Sequence, residues 1–466
     1  MEKITIYHTN DIHSQLSYWP RIAHYLTQEK QRLMNKKETV FVFDDGDAID
    51  RVHPLTEATD GKAIAELLHD GAYDAVTIGN NEGVGNTKAQ LNDLYSEARY
   101  EVVVSNLKDK ETNSRPDWAR EIVLLETNGR HTFALVGLTI PLPMSYDSLG
   151  WNVEDPFHVL DELIRSYRNK VDGFILLSHL GLPTDREIAE RYPEVLIIMG
   201  GNTHHLLPEG EMIEGTLIAG AGKFGTHIGK ITLEYGKDNQ ILMTAEVIDV
   251  RSQVDPVPDE HVDMNELYRI GNRMLEHEVL GELNHPLNKE QVAEPNLISL
   301  TLAAMTSLSE TNIAVVNTGL FLESLPKGLI NRRQLHEALP HPMRVVEVSM
   351  NGNSLKRLLN QMEQQREKLK ILPVKGYGFR GKIFGDLYFQ GIKKNKENIY
   401  INEKELDKNR QYKLITVDYF LYVPFFPELQ AQTSVRMISP GLLRTIVGNY
   451  IAHQTSNLLD ERKESS

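Results

Sequence analysis

Ile4-Thr5-Ile6-Tyr7-His8-Thr9-Asn10-Asp11-Ile12-His13-Ser14 is the stretch that decides how this 466-residue chain is read. Its first six residues form a β-branched and aromatic run, the signature of a strand. The run breaks into Asp11-Ile12-His13, where alternate residues can present a carboxylate and an imidazole to one side. A strand ending in such a group predicts a site at the carboxyl edge of a sheet, where open α/β sheets collect their ligands.

Working outward, further strand-like runs cover Thr39–Phe43, Ala75–Ile78, Glu101–Val104, Phe133–Ile140, Gly173–Leu177 and Val195–Met199. Helical patterns lie between several of them, for example Pro20–Lys36 and Pro156–Asn169. The alternation predicts a layered α/β domain. After Gly215 the pattern changes to Thr216–Ala219, Ile228–Glu234 and Ile241–Val250 with no helix between, which predicts an antiparallel closing sheet. Arg251–Asp259, with two prolines among polar residues, marks a domain boundary, and a polar helix is expected over Asp259–Leu280. The expected division is therefore a first domain at 1–252, a linker and connecting helix at 253–280, a second domain at 281–456 and a polar tail at 457–466.

The second domain mixes a helix at Leu297–Leu308, strands at Ile313–Asn317 and Val345–Met350, and an amphipathic helix at Ser354–Lys370. On that last helix Leu355, Leu358, Leu359 and Met362 share a face expected to join the core. Lys393-Lys394-Asn395-Lys396 reads as a solvated turn.

Composition narrows the function. Hydrophobic residues at 41% and charged residues at 25% are ordinary globular usage. Sixty-five acidic against 50 basic residues give a net charge of −15, which argues against a nucleic acid partner. No apolar run reaches the roughly 18 residues of a membrane span. The opening residues lack an apolar signal core, so a cytoplasmic location and no membrane partner are expected. With no cysteine, any metal must bind through His, Asp, Asn or Glu.

Five polar clusters follow directly on apolar runs: Asp11-Ile12-His13, Asp44-Asp45-Gly46-Asp47, Gly79-Asn80-Asn81-Glu82, Ser178-His179-Leu180-Gly181 and Gly201-Asn202-Thr203-His204-His205. Taken singly, each has a structural explanation as turn residues or a buried histidine. Together, at strand ends, they supply the carboxylate, amide and imidazole donors that hard or borderline divalent ions require. His205, beside His204, is expected to point away from the group.

These motifs resemble the calcineurin-like metallophosphatases, specifically the 5′-nucleotidase, UDP-sugar hydrolase and cyclic-nucleotide phosphodiesterase branch, with its D-x-H, G-D, G-N-H-E, H and G-H-x-H order. Ser105-Asn106-Leu107, Asn312–Gly319 and Val417–Leu421 extend the resemblance over most of the chain. It implies a β-sandwich flanked by helices, followed by an α+β 5′-nucleotidase-type substrate domain. It also implies two divalent ions, Mn²⁺ or Zn²⁺, with Asp11, His13, Asp47 and His204 on the first, and Asp47, Asn80 and His179 on the second. Asp47 would bridge them. The implied activity is hydrolysis of a small phosphate ester, a nucleotide or nucleotide-derived monoester or diester, by attack of a metal-bridging hydroxide.

The chain departs from that pattern in ways that bear on activity. Asn81 replaces the histidine expected to stabilise the transition state, and Val84 stands where an acid would pair with it. An amide cannot exchange a proton at neutral pH. Asn202 replaces a second-metal imidazole, which predicts a weaker second site. Asn80, with Asn81, is expected to orient the phosphate. An arginine expected on the substrate is Leu322, and the aromatic pair expected around a base corresponds to Phe379 and Phe420. The resulting expectation is an enzyme of reduced activity. The alternative is a degenerate nucleotide- or metal-binding protein using the same cleft.

Overall fold

Alternate residues of a strand face opposite sides of its sheet, and the strand Lys3–Thr9 buries both faces. Ile4 and Ile6 point between two sheets, while Tyr7 points outward under the helix Trp19–Asn35. The computed structural model describes residues 2–464 apart from 130, 237–239, 291–293, 377 and 396–397. It divides into two units, Met1–Gly271 and Asn272–Ser466.

The first sheet of the N-terminal unit runs, in spatial order, Ile241–Asp249, His227–Tyr235, Lys3–Thr9, Thr39–Asp44, Ala75–Val76, Glu101–Val103 and Ala119–Arg120. The second runs Leu206–Ile213, Thr216–Ala221, Val195–Gly200, Gly173–His179, Thr132–Thr139 and Val123–Glu126. Ile4, Ile6 and Phe43 of the first sheet meet Phe133, Leu135, Ile175 and Ile197 of the second in one inter-sheet core. Outside the second sheet, Phe174, Leu176 and Ile198 pack against Leu160 and Ile164 of the helix Pro156–Tyr167 and Ile188 of the helix Leu182–Arg191. Strands covered on both sides are continuously apolar, which is why these runs were legible.

Parallel register brings the strand ends level. Thr9 is opposite Asp44, and Asp44 is opposite Val76. In the second sheet Ser178 is opposite Gly200. The five polar clusters lie at these ends, with Asp44, Ser178 and His179 closing their strands and the other members in the segments that follow.

The expected single closing sheet is split in two. Thr216–Ala221 is buried along its whole length and lies parallel to Val195–Gly200 in the second sheet, whereas His227–Tyr235 and Ile241–Asp249 extend the first sheet antiparallel to Lys3–Thr9. The unit division falls inside the helix Glu260–His277, so the stretch 253–280 is shared between the units. In the N-terminal unit this helix is tied to Arg21, which donates to Glu260 through Nε at 2.8 Å and Nη2 at 2.5 Å.

The C-terminal unit has a five-stranded sheet in the order Leu387–Gln390, Ala314–Asn317, Gln411–Val417, Arg344–Asn351 and Val435–Leu442. The helix Gly352–Lys370 lays Leu355, Leu358, Leu359 and Met362 into its core, as the periodicity predicts. Lys393 and Lys394 are exposed on a strand, Ile392–Asn395, paired with Asn398–Ile401; Lys396 lies outside the described residues. The helix Leu443–Glu464 continues through the polar tail, of which 465–466 lie outside the described residues. Among the described residues, no helix is long and apolar enough to cross a membrane.

Ile6 is fully buried between the sheets, so Ile6→Ala should lower stability by about 2–5 kcal/mol. Leu242→Ser, at a 61% exposed position, should stay within about 0.5 kcal/mol. Guanidinium denaturation of the two variants checks both.

Candidate metal centre

The loops that follow the strands are interlocked through their backbones. Asp11 N donates to Gly46 O at 3.0 Å and His13 N to Asp47 O at 2.9 Å. These contacts hold Asp11, His13 and Asp47 at positive φ of 51°, 50° and 52°; Asn202 and His204 have φ of 67° and 58°. Such conformations are uncommon for residues with a side chain, and they concentrate where surrounding structure enforces them at functional sites. Gly79 is required by space: a Cβ there would lie 2.0 Å from Asp47 Oδ1 and 2.6 Å from His179 Nε2.

The side chains converge in two groups, Asp11 with His13 and His204, and Asp11 with Asp47 and His179, the donor atoms within each lying within 4.8 Å of one another. Asp11 is therefore the carboxylate common to both groups. Its Oδ1 is 3.4 Å from His204 Nε2, 3.6 Å from His13 Nε2 and 4.0 Å from His179 Nε2. Asp47, expected as the bridge, also spans the centre, with Oδ1 at 3.4 Å from His179 Nε2 and Oδ2 at 3.8 Å from His13 Nε2. Two carboxylates thus reach both sides where the sequence reading expected one.

The donor set suits divalent ions. His179 is fully buried, and its Nδ1 lies 2.7 Å from Asp45 O, a contact that directs Nε2 toward Asp11 and Asp47. Nε2 itself makes no hydrogen bond. An imidazole fixed from behind by a carbonyl, with its other nitrogen facing two carboxylates, is oriented so that Nε2 can ligate a metal that displaces its proton. Burial alone would push the histidines down, but His179 beside Asp47 and Asp11 is pushed up to about 10. His13 beside Asp11, Asp50 and Asp47 is likewise pushed up to about 10. Burial acts to raise Asp11, yet hydrogen bonds from His13 and His204 hold it below the usual carboxylate range. The pocket draws positive charge.

The asparagines behave differently from ligands that replace histidine one for one. Asn81 N donates to Asp47 Oδ1 at 2.8 Å, and its Nδ2 lies 2.8 Å from His13 Nδ1 and 3.2 Å from Asp47 Oδ2. Asn202 N donates to both oxygens of Asp11 at 3.2 and 3.1 Å, while Nδ2 turns 3.4 Å from Leu180 O. Asn80 opens the short helix Asn80–Gly83 beside Asp47. His205 is exposed, with Nδ1 at 2.9 Å from Thr203 Oγ1.

Beneath the centre lies a layer of acids whose roles the motif reading did not assign. Glu82 accepts from Asp47 N, Ile49 N and Gly79 N at 3.0, 3.0 and 2.8 Å, and burial with the Asp47 charge pushes it up to about 7. Asp50 Oδ2 lies 3.6 Å from His13 Nδ1. Asp185 accepts from Ser178 Oγ at 2.5 Å, and burial pushes it up to about 8. Neither Asp50 nor Asp185 lies at a ligand position of a strand-end motif, so no sequence signal distinguishes it.

Comparison with known proteins agrees with this geometry. Residues 4–206 match the calcineurin-like phosphoesterase family, and residues 277–422 match the 5′-nucleotidase C-terminal domain. The uncharacterized metallophosphoesterase YunD of Bacillus subtilis is 33% identical over 459 residues, covering 96% of this chain and 98% of that protein. This chain belongs to the calcineurin-like phosphoesterases. Such phosphoesterases use divalent metals, and the two groups above are where this one can hold them. Bovine 5′-nucleotidase is 23% identical over 300 residues, 56% of this phosphoesterase and 52% of that protein, so the match spans about half of that relative. The structure of Haemophilus influenzae NAD nucleotidase shares the fold, with a TM-score of 0.63 at 14% identity over 97% of this chain and 96% of that one.

The expected base-binding aromatics are corrected by the structure of the C-terminal unit. Phe420 is fully buried, packed on Phe384 and Phe426 at centroid distances of 5.7 and 5.2 Å. Phe379 is 4% exposed and stacks with both His341 and Tyr419, at 5.0 and 5.4 Å. Both rings belong to the core, and neither presents a face to a ligand.

Asp185 gives a pH signature. Its folded value near 8 exceeds the unfolded value of about 3.9, so its contribution to stability is complete below pH 4 and disappears as pH rises through 8. Thermal unfolding of metal-free Asp185→Asn should therefore lose less stability between pH 5 and pH 9 than the parent does.

Proposed function

We propose that this chain is a metal-dependent hydrolase of small phosphate esters, with nucleotides or nucleotide-derived monoesters and diesters as its substrate class. The supporting observation is the buried His179 imidazole, whose Nε2 faces Asp11 and Asp47 without a hydrogen bond. The names of the related 5′-nucleotidase and NAD nucleotidase support the nucleotide part of the reading.

Asp11, His13 and His204 would hold one divalent ion, Mn²⁺ or Zn²⁺, and Asp11, Asp47 and His179 the other, joined by Asn80 as the resemblance implies. When bound, the ions supply charge neutralisation at the phosphoryl oxygens and a water of lowered pKa. The chain's own residues fix this arrangement in advance. Glu82 holds the Asp47 loop through the N–H groups of Asp47 and Ile49 and ties it to Gly79 N, Asp45 O orients His179, and Asn202 N steadies Asp11.

Asn81 occupies the place of a proton donor but is spent on Asp47 and His13. General acid help is typically worth about 10²–10⁴ in rate, so esters with good leaving groups should be turned over best. The same observation favours the second reading, a nucleotide-binding protein of little turnover. That reading predicts thermal stabilisation by nucleotides without phosphate release.

The test is product release from nucleoside monophosphates, UDP-sugars, cyclic nucleotides and an aryl phosphodiester, with Mn²⁺ or Zn²⁺ and with chelator. Metal-dependent turnover is expected, falling by about 10² or more in Asp47→Asn together with metal content. Full activity in Asp47→Asn would sink the assignment of that carboxylate.

A further inference from the structure

The turn Gly222-Lys223-Phe224-Gly225 sits against the metal centre without contributing to either ligand group. It follows the strand Thr216–Ala221 and is fixed to the Asp11 loop at two points. Asn10 Nδ2 donates to Gly222 O at 2.7 Å, and Phe224 N donates to Asp11 O at 2.8 Å. Thr226 Oγ1 closes the turn by donating to Lys223 O at 2.9 Å. Phe224 itself has a φ of 64°. For a bulky aromatic this is a rare backbone state, of the kind that persists only where neighbours enforce it.

The side chains of this turn gather at the rim. Phe224 is 39% exposed and meets His13 edge-on, with ring centroids 5.8 Å apart. Lys223 Nζ lies 4.6 Å from the Phe224 ring centroid and 3.5 Å from His204 Nδ1.

That last contact is the wrong kind for orienting a ligand. His204 turns Nε2 toward Asp11 Oδ1 at 3.4 Å; with a metal ion on Nε2 in place of the proton shared with Asp11, the remaining ring proton would sit on Nδ1. A ligating imidazole is held from behind by an acceptor, a carboxylate or carbonyl. Lysine offers three donors and no acceptor, and two donors facing each other repel. With His204 in its ligand tautomer, the Lys223 ammonium is left for an anion at the rim, supported by the Phe224 ring through cation–π attraction. A phosphoryl group, with charge spread over its peripheral oxygens, is the anion this centre is built to receive. Asn81, at the Nδ1 edge of His13, is uncharged and adds no positive charge of its own.

Resting on the phosphoesterase reading above, we infer that Lys223 is a phosphate-binding residue, contacting a non-bridging oxygen of the substrate's phosphoryl group, with Phe224 positioning it. Neither residue lies in a strand-end motif of the kind that marks the ligands.

Calorimetric titration of inorganic phosphate into the Mn²⁺-loaded full chain tests this, with a separate Mn²⁺ titration of each variant. Lys223→Met should weaken phosphate binding by about tenfold or more, Lys223→Arg should stay within about threefold of the parent, and Mn²⁺ affinity should not fall in either. Unchanged phosphate affinity in Lys223→Met overturns the inference and leaves the hydrolase reading standing. Parallel loss of Mn²⁺ affinity also overturns it, making Lys223 a support of the metal ligands. If the Mn²⁺-loaded parent takes up no phosphate, the hydrolase reading fails and carries this inference with it.

Discussion

Two buried carboxylates govern this molecule. Asp11 is fully buried and Asp47 is 3% exposed, and each lies within 4 Å of two or more imidazole nitrogens. Negative charge in such surroundings is tolerated only when it is paired and hydrogen-bonded. The strand ends stand level so that loops from both sheets can meet these two groups. Asn202, on left-handed backbone, points its N–H at Asp11, and Asn81, in a helical turn, points its N–H at Asp47. The inter-sheet core of Ile4, Ile6, Phe133 and Ile175 keeps the two sheet edges in register beneath them.

A second tier of acids lies under the first, and it works by the opposite rule. Asp44, Asp45 and Asp185 are raised by burial, and Glu82 by burial with its neighbour's charge. A carboxyl that is easily neutral can sit in the interior and still accept backbone hydrogen bonds, as Glu82 does three times over. The centre therefore separates Asp11, which keeps its charge beside the imidazoles, from carboxyls that serve as scaffolding.

Much of this was legible in the sequence because it is local. Continuous apolar runs located most strands of both sheets, missing Ala119–Arg120, Val123–Glu126 and Leu206–Ile213, and the polar clusters marked five strand ends. The Leu355, Leu358, Leu359 and Met362 stripe identified a core helix face. What depended on distant partners was not legible. Thr216–Ala221 looks like its neighbours in sequence, yet pairs with Val195–Gly200 because its burial on both sides requires a central position. Phe379 and Phe420 resemble ligand-facing aromatics until His341, Tyr419, Phe384 and Phe426 are placed around them. The sharing of Asp11 between both groups depends on loop conformation, and Asp50, Asp185 and Lys223 stand in no recognisable spacing.

The way the two asparagines are attached has a wider consequence. At positions 81 and 202 the peptide N–H, present in every residue but proline, secures Asp47 and Asp11. The backbone's hold on each carboxylate thus does not depend on which side chain the position carries. A lineage can retool its chemistry there, trading histidine for asparagine or back again, while the architecture around the ions stays intact.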